Sequence, residues 1–153
     1  MLEGLHSDEA YMKEALKQAK YALEENEVPV GAVVVCNNKI ISRAYNQVEK
    51  LGDVTAHAEM LAITSAENYL GSKYLKGCKL YVTLEPCSMC AGASYWAQLD
   101  EVIYGASDEK RGFTELSPNA IHPKTKVKKG LLAEECSALV SSFFAGLRKK
   151  TNN

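Results

Sequence analysis

Lys79-Leu80-Tyr81-Val82-Thr83-Leu84-Glu85-Pro86-Cys87-Ser88-Met89-Cys90 is the stretch on which the reading of this chain turns. Lys79 to Thr83 is short and rich in strand formers, and Pro86 suits the first turn of a helix, where its missing N–H has no partner to lose. The spacing predicts a strand running into a helix that continues to about Gln98, with Cys87 and Cys90 at i and i+3 on one side of its first turn. A helix amino terminus favours thiolates there. Taken alone, such a pair suits a redox couple as well as a metal site.

Outward from this stretch, strands and helices alternate. Ser7 or Asp8 can cap a helix with apolar positions Met12, Ala15, Leu16, Ala19 and Leu23 that ends near Asn26. Val30 to Cys36 is short and largely β-branched, and Asn37-Asn38 separates it from Lys39 to Tyr45, which is a hairpin signal. Asn46 to Val54 reads as loop. Thr55 can then cap a helix through Asn68, and its residues Ala58, Met60, Leu61, Ala62 and Ile63 make it apolar nearly all round, which predicts burial. Glu101 to Gly105 reads as strand, residues 107–124 as a long connection with room for a short helix, and Thr125 to Lys129 as a weak strand. A final helix carries Leu132, Cys136, Leu139, Val140, Phe143, Phe144 and Leu147 on one side. The alternation predicts a layered α/β sandwich with one hairpin and otherwise crossover connections.

The composition fits that reading. A chain of 153 residues, 46% hydrophobic and 24% charged with 4 prolines, is expected to form one domain, residues 1–153, with a substantial core. Its longest nearly apolar run, Val28 to Cys36, is far short of the roughly 18 residues that span a bilayer. Met1 to His6 lack the basic region and apolar core of a secretory signal, so a cytoplasmic location is expected. Five cysteines in a reducing compartment read as thiols or ligands, and Cys36 and Cys136 as small hydrophobes on core faces. The net charge of −1 does not advertise a nucleic-acid partner, but its distribution is uneven: residues 1–60 carry −4, residues 61–121 carry −2 and residues 122–153 carry +5. The last segment holds Lys124, Lys126, Lys128, Lys129, Arg148, Lys149 and Lys150. It suits a solvated face with cations at a helix end, or a phosphate-binding patch.

His57, 30 residues before Cys87, and Glu59 open the helix that precedes the strand. A helix-strand-helix crossover brings two such helix starts together. Two thiolates and one imidazole give zinc three protein ligands and leave one corner for water, whose pKa zinc lowers toward about 7. Glu59, two residues from His57, can face the same cavity without being a ligand and carry the water's proton to a substrate. Proton delivery to a ring nitrogen and expulsion of ammonia from the adjacent carbon is hydrolytic deamination.

At His57, Glu59, Cys87 and Cys90 the chain resembles the zinc-dependent nucleic-acid and nucleobase deaminases. Glu27 to Val33, Asp53 with Thr55-Ala56-His57-Ala58-Glu59, Leu80 to Cys87, Cys90 to Ala93, and Gly130 to Cys136 through Phe143-Phe144 resemble the branch that converts the wobble adenosine of tRNA to inosine. The resemblance covers almost the whole length. It implies a three-layer α/β/α sandwich of cytidine-deaminase-like fold, with a central five-stranded mixed sheet. It also implies one Zn2+ per subunit, a tRNA anticodon loop as partner, and a homodimer whose RNA site uses both subunits. By matching position, Asn46 would hydrogen-bond the target base, the Ala58 backbone would help hold it, Val30 and Leu84 would wall the pocket, and Asp108 would touch the neighbouring nucleotide. The resemblance lapses at Arg111-Gly112-Phe113-Thr114-Glu115-Leu116, where the family is small and rich in glycine and serine, and at Gln98, where a basic residue is common. Tyr95-Trp96-Ala97 instead resembles guanine deaminases, which keeps open a free base or nucleoside, guanine or cytosine, as substrate.

Overall fold

In the computed structural model, which describes residues 6–151, five strands form one mixed sheet between two helical layers. The elements are α1 (Asp8–Glu24), β1 (Gly31–Cys36), β2 (Lys39–Tyr45), α2 (Val48–Leu51), α3 (Ala58–Leu70), β3 (Cys78–Leu84), α4 (Ser88–Ala97), β4 (Glu101–Ala106), α5 (Phe113–Leu116), β5 (Lys126–Lys128) and α6 (Ala133–Thr151). The strand order is β2-β1-β3-β4-β5, antiparallel among β2, β1 and β3 and parallel from β3 to β5. Most of the amino-terminal stretch read for a secretory signal lies outside the described residues.

The hairpin forms where it is predicted. Asn37 and Asn38 both adopt positive φ, 52° and 61°, as a two-residue turn between Cys36 and Lys39 requires, and asparagine tolerates that region better than most residues. One sheet face buries Val34, Leu80, Val82, Val102 and Tyr104 against Ala58, Ala62, Ile63 and Ala66 of α3 and Ala91 and Ala97 of α4. The other buries Val33, Val35, Tyr81 and Ile103 against Tyr11, Met12, Ala15 and Leu16 of α1 and Cys136 of α6. Small residues on α3 and α4 let those helices lie close to the sheet. Closest of all is α1: a Cβ at Gly31 would come within 2.0 Å of the Ala15 carbonyl oxygen, so only glycine fits there.

The differences from the sequence reading concern ends and short elements. Thr55 does not cap α3, because its N–H and hydroxyl both donate to the Asp53 carboxylate, at 2.8 and 2.7 Å; His57 occupies the cap. Pro86 lies one residue before the α4 cap rather than within the helix, and Cys87 is that cap. Strand β3 begins one residue earlier than read, at Cys78, which is fully buried, and runs one residue further, to Leu84. Helix α3 is one-sided rather than buried all round, with Tyr69 and Leu70 exposed. No helix among the described residues is long and apolar enough to cross a membrane.

Candidate metal centre and substrate pocket

The crossover from α3 through β3 to α4 sets two helix caps side by side. His57 and Cys87 are both extended residues immediately before their helices, and Cys90 follows one turn into α4. The Nδ1 of His57 lies 3.7 Å from the Cys87 Sγ and 3.5 Å from the Cys90 Sγ. All three ligand atoms fall within 4.8 Å of one another, the one such group among the described residues. A tetrahedral ion with Zn–S near 2.3 Å and Zn–N near 2.0 Å requires nitrogen–sulfur separations of about 3.5 Å. The residues are therefore already spaced for zinc.

Their acidity agrees with that role. The Cys90 thiol donates to the Cys87 sulfur, and with the Cys90 backbone N–H and the His57 ring this holds Cys87 down to about 4, against the pull of burial. The same thiol–thiolate bond, with burial, pushes Cys90 far up. The Cys87 sulfur raises His57 in turn, although burial opposes it. A proton shared between two sulfurs is what a divalent cation displaces.

Glu59, in the first turn of α3, is 4% exposed, and burial pushes it up to about 7. The Cys90 side chain is within hydrogen-bond reach of it, so the carboxylate borders the metal group without belonging to it. A carboxyl poised near neutral pH can both take and give a proton.

Main-chain bonds assemble the surrounding wall. Asn46, 7% exposed at the end of β2, donates its N–H to the Val30 carbonyl at 3.1 Å, and the Gln47 N–H bonds the carbonyl of Ala56 just before His57. Val30, Asn46 and the metal-ligand turn are thus tied together. Ala58 is the first residue of α3, where the backbone N–H has no partner within the helix. Leu84 is half-buried at the end of β3. Asp108 stands on the loop after β4, and its Oδ1 accepts from the Lys110 and Arg111 N–H groups at 3.2 and 3.1 Å, so part of its carboxylate shapes its own turn.

His122, on the long connection after β4, meets the Tyr95 ring in a tilted contact at 4.8 Å and lines a groove of about 820 Å3 at the far end of α4, with Lys76, Lys124 and Lys126. None of the three metal-ligand residues lines that groove. The basic segment also divides, since Lys128 is engaged by Glu101 at 3.0 Å and Asp8 at 3.4 Å.

Two buried carboxylates were missed. Glu27 accepts from the Glu49 and Lys50 N–H groups at 3.0 and 2.8 Å, holding α2 beside Asn46. Glu85 accepts from Asp108 and Thr114. The signal available was an acidic residue beside an apolar strand at each position, Glu27 before Val28-Pro29-Val30 and Glu85 after Leu84.

Residues 5–106 match the family model of the cytidine and deoxycytidylate deaminase zinc-binding region. The tRNA-specific adenosine deaminase of Bacillus subtilis is 48% identical over 148 residues, covering 94% of this chain and 92% of that one. A solved structure from studies of A-to-I editing by tRNA:A34 deaminases at the wobble position is 42% identical, with a TM-score of 0.79 over 84% of this chain and 97% of its own. A guanine deaminase from Nitrosomonas europaea is 25% identical, with a TM-score of 0.81 over 92% of this chain and 86% of its own.

Proposed function

The chain belongs to the cytidine and deoxycytidylate deaminase family, a zinc-binding family, and on that premise we propose that it is a zinc-dependent hydrolase converting adenosine 34, at the wobble position of tRNA, to inosine. The observation that carries the reading is the convergence of His57, Cys87 and Cys90 beside a buried Glu59 in a chain 48% identical to a tRNA-specific adenosine deaminase. We assign the whole of residues 1–153 to one deaminase domain working in the cytoplasm.

His57, Cys87 and Cys90 would hold Zn2+, one per subunit; when bound, the ion supplies an acidified water for attack on the base. Glu59 takes a proton from that water and delivers it to the ring nitrogen beside the amino-bearing carbon. Glu59 then takes the proton of the hydroxyl added to that carbon and passes it to the departing amino group, so that the C–N bond breaks, the carbon–oxygen bond becomes a carbonyl, and adenosine and water give inosine and ammonia. Asn46 presents paired amide donor and acceptor groups to the purine edge, and the Ala58 N–H holds the base from the start of α3. Val30 and Leu84 form the apolar walls, and Asp108 meets the neighbouring nucleotide. An anticodon loop offers its bases already splayed, which lowers the unstacking cost.

The same reading includes a homodimer. The outer faces of α3 and α4, directly behind the ligands, carry Met60, Ala93 and Trp96, the last 76% exposed, and with Tyr74 they line an apolar groove of about 360 Å3 suited to a second copy. Sedimentation of the purified chain is expected to give a dimer, and a monomer at micromolar concentration would refute this part.

A free base or nucleoside, guanine or cytosine, is the second reading, favoured by Tyr95-Trp96-Ala97 and by the likeness to a guanine deaminase. One assay separates the two. Purified protein is offered total tRNA, adenosine, cytosine and guanine side by side, with zinc measured on the same sample. Inosine in tRNA is the expected outcome; ammonia released only from a free base would replace the first reading with the second.

A further inference from the structure

Glu85 sits immediately before Pro86-Cys87 and is 4% exposed, yet neither the metal group nor the base pocket uses its carboxylate. Three donors, all from the loop that follows β4, satisfy it. Oε1 accepts from the Asp108 N–H at 3.0 Å, and Oε2 accepts from the Thr114 N–H at 3.0 Å and the Thr114 hydroxyl at 2.7 Å. The loop then returns to the metal-ligand turn itself. Gly112 forms a bridge with Cys87, the Phe113 N–H donates to the Pro86 carbonyl at 3.0 Å, and the Ser88 and Ser117 hydroxyls share a hydrogen bond of 2.7 Å. The fit has no slack at Gly112, where a Cβ would come within 2.2 Å of the Glu85 Oε2.

We propose that Glu85 is a positioning residue whose carboxylate fixes the 108–117 loop against the metal-ligand turn, and that discrimination among the nucleotides flanking the reacting adenosine depends on this clamp. The proposal deepens the tRNA reading and rests on it. Asp108 reaches a neighbouring nucleotide only while its main chain is held, and Glu85 holds that main chain through the Asp108 N–H. A hydrogen bond to a buried charged acceptor is stronger than one to a neutral acceptor, so a carboxylate confines a loop that an amide would not. In Glu85→Gln one of the two oxygens becomes an NH2 group facing donors, and at least one of the three bonds is lost.

The test uses the full-length, zinc-loaded protein and a panel of anticodon stem-loop RNAs that differ only in the two nucleotides flanking the adenosine. kcat and KM are read from inosine formation for wild type, Glu85→Gln and Thr114→Val. Wild type is expected to spread widely in kcat/KM across the panel. Glu85→Gln is expected to compress that spread by about tenfold, mainly through KM, with Thr114→Val compressing it less because it loses only the hydroxyl bond. Zinc content should stay at one per chain in all three. A Glu85→Gln enzyme that melts earlier but keeps the wild-type spread would overturn the proposal, as would a wild type with no spread. Should Glu85→Gln fail to fold, Thr114→Val decides alone: an unchanged spread refutes the clamp. Absence of inosine from every RNA with wild type would instead defeat the tRNA reading, and this proposal with it.

Discussion

The two ends of strand β3 carry the same side chain in opposite states. At its start, Cys78 faces Cys36 across the antiparallel β1–β3 pair, fully buried, and burial followed by the neighbouring Cys36 thiol pushes it up to about 12. Beyond its other end, Cys87 faces Cys90 and His57, and is held down to about 4 by the Cys90 thiol and the His57 ring. Both ends therefore offer a cysteine pair. What differs is the direction of the hydrogen bonds: the Cys87 sulfur accepts from the Cys90 thiol and N–H and from the His57 ring, whereas the Cys78 thiol, in an otherwise apolar layer, donates to the Lys76 carbonyl at 3.8 Å. Proximity of two cysteines does not make a metal ligand; what points at the sulfur does.

The strongest way to break this contrast is to remove one sulfur at each end. Cys90→Ala is expected to lose zinc and all inosine formation, while Cys78→Ala retains one zinc per chain and turns over as wild type; metal analysis and an inosine assay on both variants decide it. Zinc loss from Cys78→Ala would end the distinction.

Alkylation sharpens it. In protein stripped of metal, iodoacetamide is expected to modify Cys87 at a rate nearly constant from pH 6 to 8, because a thiol with its pKa near 4 is already ionised throughout that range. Peptide mapping should find Cys78 unmodified in the same samples, and zinc should protect Cys87. A Cys87 rate that climbs tenfold per pH unit would show an ordinary thiol instead.

The smallest expected effect is on stability in alkali. The folded pKa of Cys78, about 12, stands above the ordinary thiol value of 9.0, so the native state retains the proton longer than the unfolded chain does. The stabilisation this gives is complete below about pH 9 and is lost as pH rises toward 12. Thermal melts across that window should therefore fall more steeply for wild type than for Cys78→Ala. Tyr81, also pushed up by burial and by its bond to Asp8, adds a decline common to both proteins. Parallel slopes would contradict the assignment.

Much of this was legible in the chain, and the reasons for the remainder are local. The β1–β2 hairpin announces itself through Asn37-Asn38, and the spacing of His57, Glu59, Cys87 and Cys90 suffices to place four groups that the folded chain brings together. Periodicity places helix starts only to within a residue or two. Asp53 captures the Thr55 side chain and leaves His57 as the cap, and at α4 the cap falls on Cys87, one residue beyond Pro86. The one-turn helices α2 and α5 have no period to read. Each is held by a carboxylate more than twenty residues distant, Glu27 for α2 and Glu85 for α5, which no local pattern reveals. The stripe on α6 correctly places Cys136 as a buried anchor with Leu139 packed beside it, but Phe144 and Leu147, farther along the helix, are exposed.

Of all the residues in the site, Glu59 is the one whose loss should stop the reaction while leaving the metal in place. Single-turnover inosine formation in tRNA, measured for wild type and Glu59→Gln loaded with equal zinc, should fall by at least about 100-fold in the variant while its fold and metal content stay unchanged. A zinc-loaded Glu59→Gln protein that forms inosine at the wild-type rate would contradict it.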